Sequence, residues 1–249
     1  VVAEQFGTLE ALHPGRIDLG IGRAPGTDQV TALALRRTME GLSAEGFPRE
    51  LADLMNYFSG ERPGPITATP GRGLQPAIWL LGSSGFSAQL AGLLGLPFSF
   101  AHHFSAQNTL PALTLYRQHF RPSRWLDEPY AMVAVNVVCA ETDERARWLA
   151  GPSGLSFLRL RSGRPEPLAT PEEAAAYPYT EVEREFVAAR WEGQAIGSPE
   201  TVRRQLADLR ERTGADELML TTMVYDVADR VRSFELVAEE VAGGLRRDA

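Results

Sequence analysis

The chain contains no lysine: all 25 of its basic residues are arginine. Lysine Schiff bases, a lysine general base and the lysine of a phosphate-binding P-loop are therefore excluded. Cysteine is nearly absent too. The single Cys139 permits no internal disulfide and no cysteine-built metal cluster, which fits a reducing, cytoplasmic compartment. No uninterrupted apolar run approaches the ~18 residues of a membrane span. Basic surplus is lacking as well: the net charge is −7 and the pI about 5.2. That balance lacks the footprint of a nucleic-acid binder and offers no polybasic patch to an anionic membrane. Neither a signal-peptide pattern nor an initiator Met opens the chain. What remains is 249 residues, 44% apolar and 23% charged. This is the composition of a folded chain with one large domain or two small ones.

Hydrophobic periodicity orders the chain. Val2, Phe6, Leu9 and Leu12, with Ala3 and Ala11, recur at helical spacing until Pro14-Gly15, so the chain opens inside or at the edge of a helix. Strand-like runs follow at 16–22, 77–82, 97–101, 130–139 and 216–223. Between them lie helical stretches at 28–42, 48–58, 85–94, 108–120, 141–150 and 199–213, and Asp226 or Asp229 opens a last helix. Residues 61–75 read as loop and 151–195 as an irregular, proline-rich insertion. Strict alternation of strand and helix predicts parallel βαβ units. Two α/β architectures fit five strands. One is an open doubly wound sheet. The other is a TIM (β/α)₈ barrel lacking about its first three strands, consistent with the abrupt start.

In either architecture ligands sit at the C-terminal ends of the strands. The first such end is Gly20-Ile21-Gly22-Arg23, where the glycines allow a tight exit and Arg23 is placed to grip a phosphate. The second is Gly82-Ser83-Ser84-Gly85, small residues leading into a helix. Its hydroxyls and free amides would make an anion cradle without lysine, or Ser83 or Ser84 would simply cap the helix. The third is His102-His103; on extended backbone the two rings point opposite ways, so one at most faces a pocket. The fourth is Asn136, which shares a strand face with Ala134 and Val138 and either meets a ligand or bonds a neighbour. Cys139 falls on the other face as a buried thiol. No spacing suggests a metal site, and His13 and His119 read as helix-end residues.

The segments AEQFGTLEALHPGRIDLGIGRAPGTD, IWLLGSSGFSAQLAGLLGLPFSFAHHF, AVNVVCAETDERAR and IGSPETVRRQL together resemble the bacterial luciferase-like flavin oxidoreductase superfamily, nearest its group 1 oxidoreductases. The resemblance covers nearly the whole chain except 151–195. It implies a single luciferase-like TIM-barrel domain across 1–249, incomplete because the family's first three strands have no counterpart. It further implies a monooxygenase that uses reduced FMN and O₂ on a small organic substrate, supplied by a separate flavin reductase and working as a homodimer. F420-dependent hydride transfer is the alternative within the superfamily, and a non-catalytic barrel remnant is the alternative outside it. By the same resemblance, Arg23, Gly82, Ser83, Ser84 and Gly85 take the cofactor phosphate. His102 and Asn136 are the catalytic candidates, and 151–195 is a lid over the pocket.

Overall fold

The computed structural model describes residues 1–23, 31, 34, 46–60 and 65–241. The expected helix at 28–42 lies outside these residues except at Thr31 and Ala34, which are helical. The chain forms two compact units. One comprises Val1–Phe100 with Pro111–Ala131, the other Ala101–Leu110 with Met132–Ala249.

The first unit carries α1 (Val2–Leu12), β1 (Asp18–Ile21), α2 (Phe47–Ser59), β2 (Ala77–Gly82), α3 (Gly85–Leu94), β3 (Phe98–Ala101) and α4 (Thr109–His119). β1, β2 and β3 are parallel neighbours, with Leu19 opposite Ile78 and Leu80 opposite Phe98. This register puts Leu19, Ile78, Leu80, Phe98 and Phe100 on one buried face. The opposite face carries Gly20, Trp79, Leu81 and Ser99. Tyr116 of α4 ties the helix to the strand layer. Its ring lies 5.4 Å from that of Phe98, and its hydroxyl donates to the Leu96 carbonyl at 2.9 Å while accepting from Tyr130 N–H at 3.0 Å. Gly95 ends α3 in the left-handed region at φ 61°, where a side chain would be strained.

α1 spans the expected residues, but of the expected apolar set only Ala3 is fully buried. Ala3, Gly7 and Glu10 are buried, whereas Val2, Leu9 and Leu12 are exposed. Small size decides this: the Gly71 backbone lies where a Cβ on Gly7 would be, and Glu10 Oε1 accepts from the Gly15 N–H at 2.8 Å.

The second unit carries β4 (Ala131–Cys139), α5 (Asp143–Arg161), α6 (Pro171–Ala176), α7 (Glu181–Glu192), β5 (Ala195–Gly197), α8 (Pro199–Thr213), β6 (Glu217–Thr221) and α9 (Val227–Leu236). β4 is buried along its whole length and pairs in parallel with β6 over Met132–Asn136 and with β5 over Val137–Cys139. The expected five strands thus become six. β5 escaped notice because Ala195-Ile196-Gly197 is too short to show alternation.

The segment 151–195, expected to be irregular with patchy helix, is mostly helical. α5 runs on to Arg161 with Pro152 inside it, and α6 and α7 follow. A proline inside a helix removes one hydrogen bond. Here packing outweighs that loss: Pro152, Gly154, Leu155 and Leu158 are buried. A Cβ on Gly154 would come within 2.8 Å of Val187 Cγ1, so glycine lets α5 and α7 approach closely. Thr170 and Thr180 each form a reciprocal capping box, with Glu173 and Glu183. Those two T-x-x-E signals are present in the sequence. Among the described residues no helix is long and apolar enough to cross a membrane.

Candidate functional site

In the first unit the candidate cradle lies where β2 runs into α3. Gly82 is required there by contact: a Cβ would meet Ser87 Cβ at 2.5 Å and Ser87 Oγ at 2.7 Å. Gly85 is similarly close to α4, its Cβ position lying 3.1 Å from Leu115 Cδ2. Ser84 holds the N-cap position with extended backbone, φ −144° and ψ 165°, yet its hydroxyl makes no capping bond. Thr142, Thr170, Thr180, Ser198 and Asp226 do bond the amides of the helices they open. Ser83 and Ser84 are both exposed, and no acidic residue occupies the first turn of α3. The amides of that turn therefore keep their attraction for an anion. The guanidinium of Arg23, just past β1, lies 5.4 Å from the Phe86 ring centroid and so sits beside the same helix start. A guanidinium, hydroxyls and helix-start amides on closely packed glycines suit a phosphate group.

In the second unit His102 and His103 line a cavity of about 950 Å³, and Asn136 bonds one of its wall residues, Gln194. His102 and His103 leave β3 in a turn rather than on extended backbone, so both rings line this cavity instead of pointing opposite ways. His102 Nδ1 lies 2.7 Å from Thr109 Oγ1, and burial holds its pKa below the ordinary 6.5 despite the Gly193 carbonyl. His103 Nδ1 donates to the Ala134 carbonyl at 2.9 Å. Asn136 is buried, and its Nδ2 donates to Gln194 Oε1 at 2.7 Å, so its side chain bonds a neighbour. Gln194 and Arg190, both on the cavity wall, were not singled out from sequence. They lie in the stretch that reads as irregular, and no local motif marks them. Cys139 is buried, and its N–H donates to Ser233 Oγ at 2.9 Å. Among the described residues no group of three or more His, Cys, Asp or Glu side chains is arranged to hold a metal ion.

Parallel strands that each feed a helix, with chemistry-bearing residues just past the strand ends, define an α/β protein of the parallel-sheet class. Residues 1–217 match the model of the family described as luciferase-like monooxygenase. A luciferase-like monooxygenase of Escherichia coli K12 is 43% identical over 98% of this chain and 73% of its own length. The YvbT protein of Bacillus subtilis strain 168, described as uncharacterized, is 52% identical over 96% of this chain and 71% of its own length. The crystal structure of apo-MsnO8 superposes with a TM-score of 0.85 at 38% identity, over 96% of this chain and 72% of that one. Two more distant structures share the fold. The FMN complex of the oxygenating constituent of 3,6-diketocamphane monooxygenase from Pseudomonas putida has a TM-score of 0.66 at 22% identity, over 98% of this chain and 75% of that one. An F420-dependent secondary alcohol dehydrogenase has 0.68 at 12%, over 99% and 74%. The chain belongs to the luciferase-like monooxygenase family.

Proposed function

We propose that this chain works as an FMN-dependent monooxygenase acting on a small organic substrate, with reduced FMN delivered by a separate flavin reductase. The observation that carries the reading is the uncapped start of α3 beside Arg23. In this reading Ser83, Ser84 and the first amides of α3 hold the FMN phosphate, Gly82 and Gly85 keep the cradle closely packed, and Arg23 neutralises the charge. Reduced FMN supplies the reaction with O₂; the chain binds the tail, orients it and keeps water away. In the same reading the fold is of the luciferase-like barrel type and the working protein is a homodimer.

F420 is the second reading, supported by the F420-dependent enzyme that shares the fold. A cradle for phosphate does not choose between the two tails. Anaerobic titration of the full-length protein with reduced FMN and with reduced F420, each followed by O₂, separates them. Saturable binding of FMN and oxygen-dependent turnover support the monooxygenase. Tight binding of F420 alone, with no reaction with O₂, would replace it.

A further inference from the structure

Arg190 has no place in the flavin reading, yet it is held in an unusual state. From the end of α7 its Nη1 donates to the His103 carbonyl at 3.0 Å, and its guanidinium carbon lies 3.6 Å from the centroid of the Phe157 ring. The Nε–H is buried and meets no acceptor. No carboxylate pairs with Arg190 among the described residues. Of the acidic side chains on the cavity wall, Glu192 is exposed and Asp208 takes Arg212 Nη1 at 3.1 Å. Burial lowers the pKa of Arg190, as expected for a cation withdrawn from water without a counter-charge.

Two further polar atoms on the same wall lack partners. One is Nε2 of Gln194, a side chain 5% exposed; the other is Oε1 of Gln205. Buried polar groups are rarely left without a partner, be it protein, water or ligand. Asn136 holds the Gln194 carbonyl oxygen and so fixes which end of that amide stays free. Part of the wall is apolar: Phe157 and Phe186 stack with centroids 5.7 Å apart and planes 8° apart, and Leu206 is fully buried.

We propose that this cavity binds a small organic acid, with its carboxylate on the free edge of Arg190 and Gln194 Nε2 and its apolar body against Phe157 and Phe186. A planar carboxylate matches one guanidinium edge plus one amide donor. A phosphate carries more charge and more acceptors, and the other arginines on this wall are either paired with Asp208 or exposed at the rim. The site stands whether or not the flavin reading does, because it lies wholly within the second unit.

The test is calorimetric titration of the flavin-free, full-length protein with benzoate, hexanoate, benzyl alcohol and inorganic phosphate. At least one of the two carboxylates binds at one per chain, at least tenfold more tightly than benzyl alcohol or phosphate. Arg190→Gln weakens it at least tenfold and Gln194→Leu several-fold, while both variants still melt cooperatively. If Arg190→Gln does not fold, Arg190→Lys takes its place: it keeps the charge, loses the fork and is expected to bind several-fold more weakly. Absence of carboxylate binding would overturn the proposal. So would equal binding of benzyl alcohol, preference for phosphate, or affinity unchanged in the variants.

Discussion

The first unit ends its second strand in Gly82-Ser83-Ser84-Gly85, where the groups on offer are backbone amides and two small hydroxyls, with one guanidinium alongside. The second unit surrounds its cavity with large polar side chains, of which His102 and His103 are already bonded to neighbours and Gln194 is held from behind by Asn136. The first arrangement depends on close approach of backbone and tolerates no added atoms. The second depends on pairing and tolerates no broken partnership. In the proposed readings the first takes a phosphate and the second a carboxylate, because amides at a helix start surround a charge whereas one guanidinium edge meets it in a plane.

Adding volume to the first unit should have the largest effect. Gly82→Val puts side-chain atoms into the space held by Ser87, and overpacking of this kind costs about 1–3 kcal/mol. The expected result is a lowered melting temperature together with loss of measurable FMN binding. The same substitution with FMN affinity retained would show that the strand–helix approach is not what forms the cradle. Removing the guanidinium should be gentler on the fold: Arg23→Gln is expected to weaken FMN about ten- to a hundredfold, the worth of a charge-assisted bond, with melting unchanged. In the second unit, Asn136→Leu leaves Gln194 Oε1 buried without its donor, at a cost of about 1–3 kcal/mol in chemical denaturation. FMN affinity should hold in that variant, since the loss falls in the other unit.

Acid should report on His102. Its pKa in the fold lies below 6.5, so the folded state binds fewer protons than the unfolded chain just below that pH. The stability from keeping the ring neutral is present in full above pH 6.5 and is lost as pH falls through the lower folded value. Denaturation curves between pH 7 and 5 should therefore flatten in His102→Gln relative to the unsubstituted protein; parallel curves would remove His102 from the account. The smallest effect is expected at the surface. Arg145 Nη2 bonds both oxygens of Asp229, at 2.9 and 3.0 Å, in a solvent-exposed pair. Arg145→Ala should cost under about 1 kcal/mol, less still in high salt.

These two chemistries were not equally legible. The junction of β2 and α3 was visible in sequence because its signals are local. A run of apolar residues ends in glycine and serine, and Gly95 and Gly214 close α3 and α8 in the left-handed conformation that glycine adopts cheaply. Asp226 and Ser198 were similarly legible as caps. The cavity was not, because it assembles residues 135 to 212 with the turn after β3, and no window of sequence holds those together. The helices of 151–195 were hidden by Pro152, which reads as a break until Gly154 is seen to admit Val187 and Trp191. α1 was placed correctly, but of its apolar set only Ala3 is fully buried, since hydrophobicity favoured Val2, Leu9 and Leu12 while close approach favoured Ala3 and Gly7.

The start of α3, with Arg23, is proposed to grip a phosphate. The most direct test is to titrate the full-length protein with FMN and with riboflavin, which differ only in that group. FMN should bind at least a hundredfold more tightly, and the advantage should collapse in Arg23→Gln. Equal affinity for the two flavins would contradict the account.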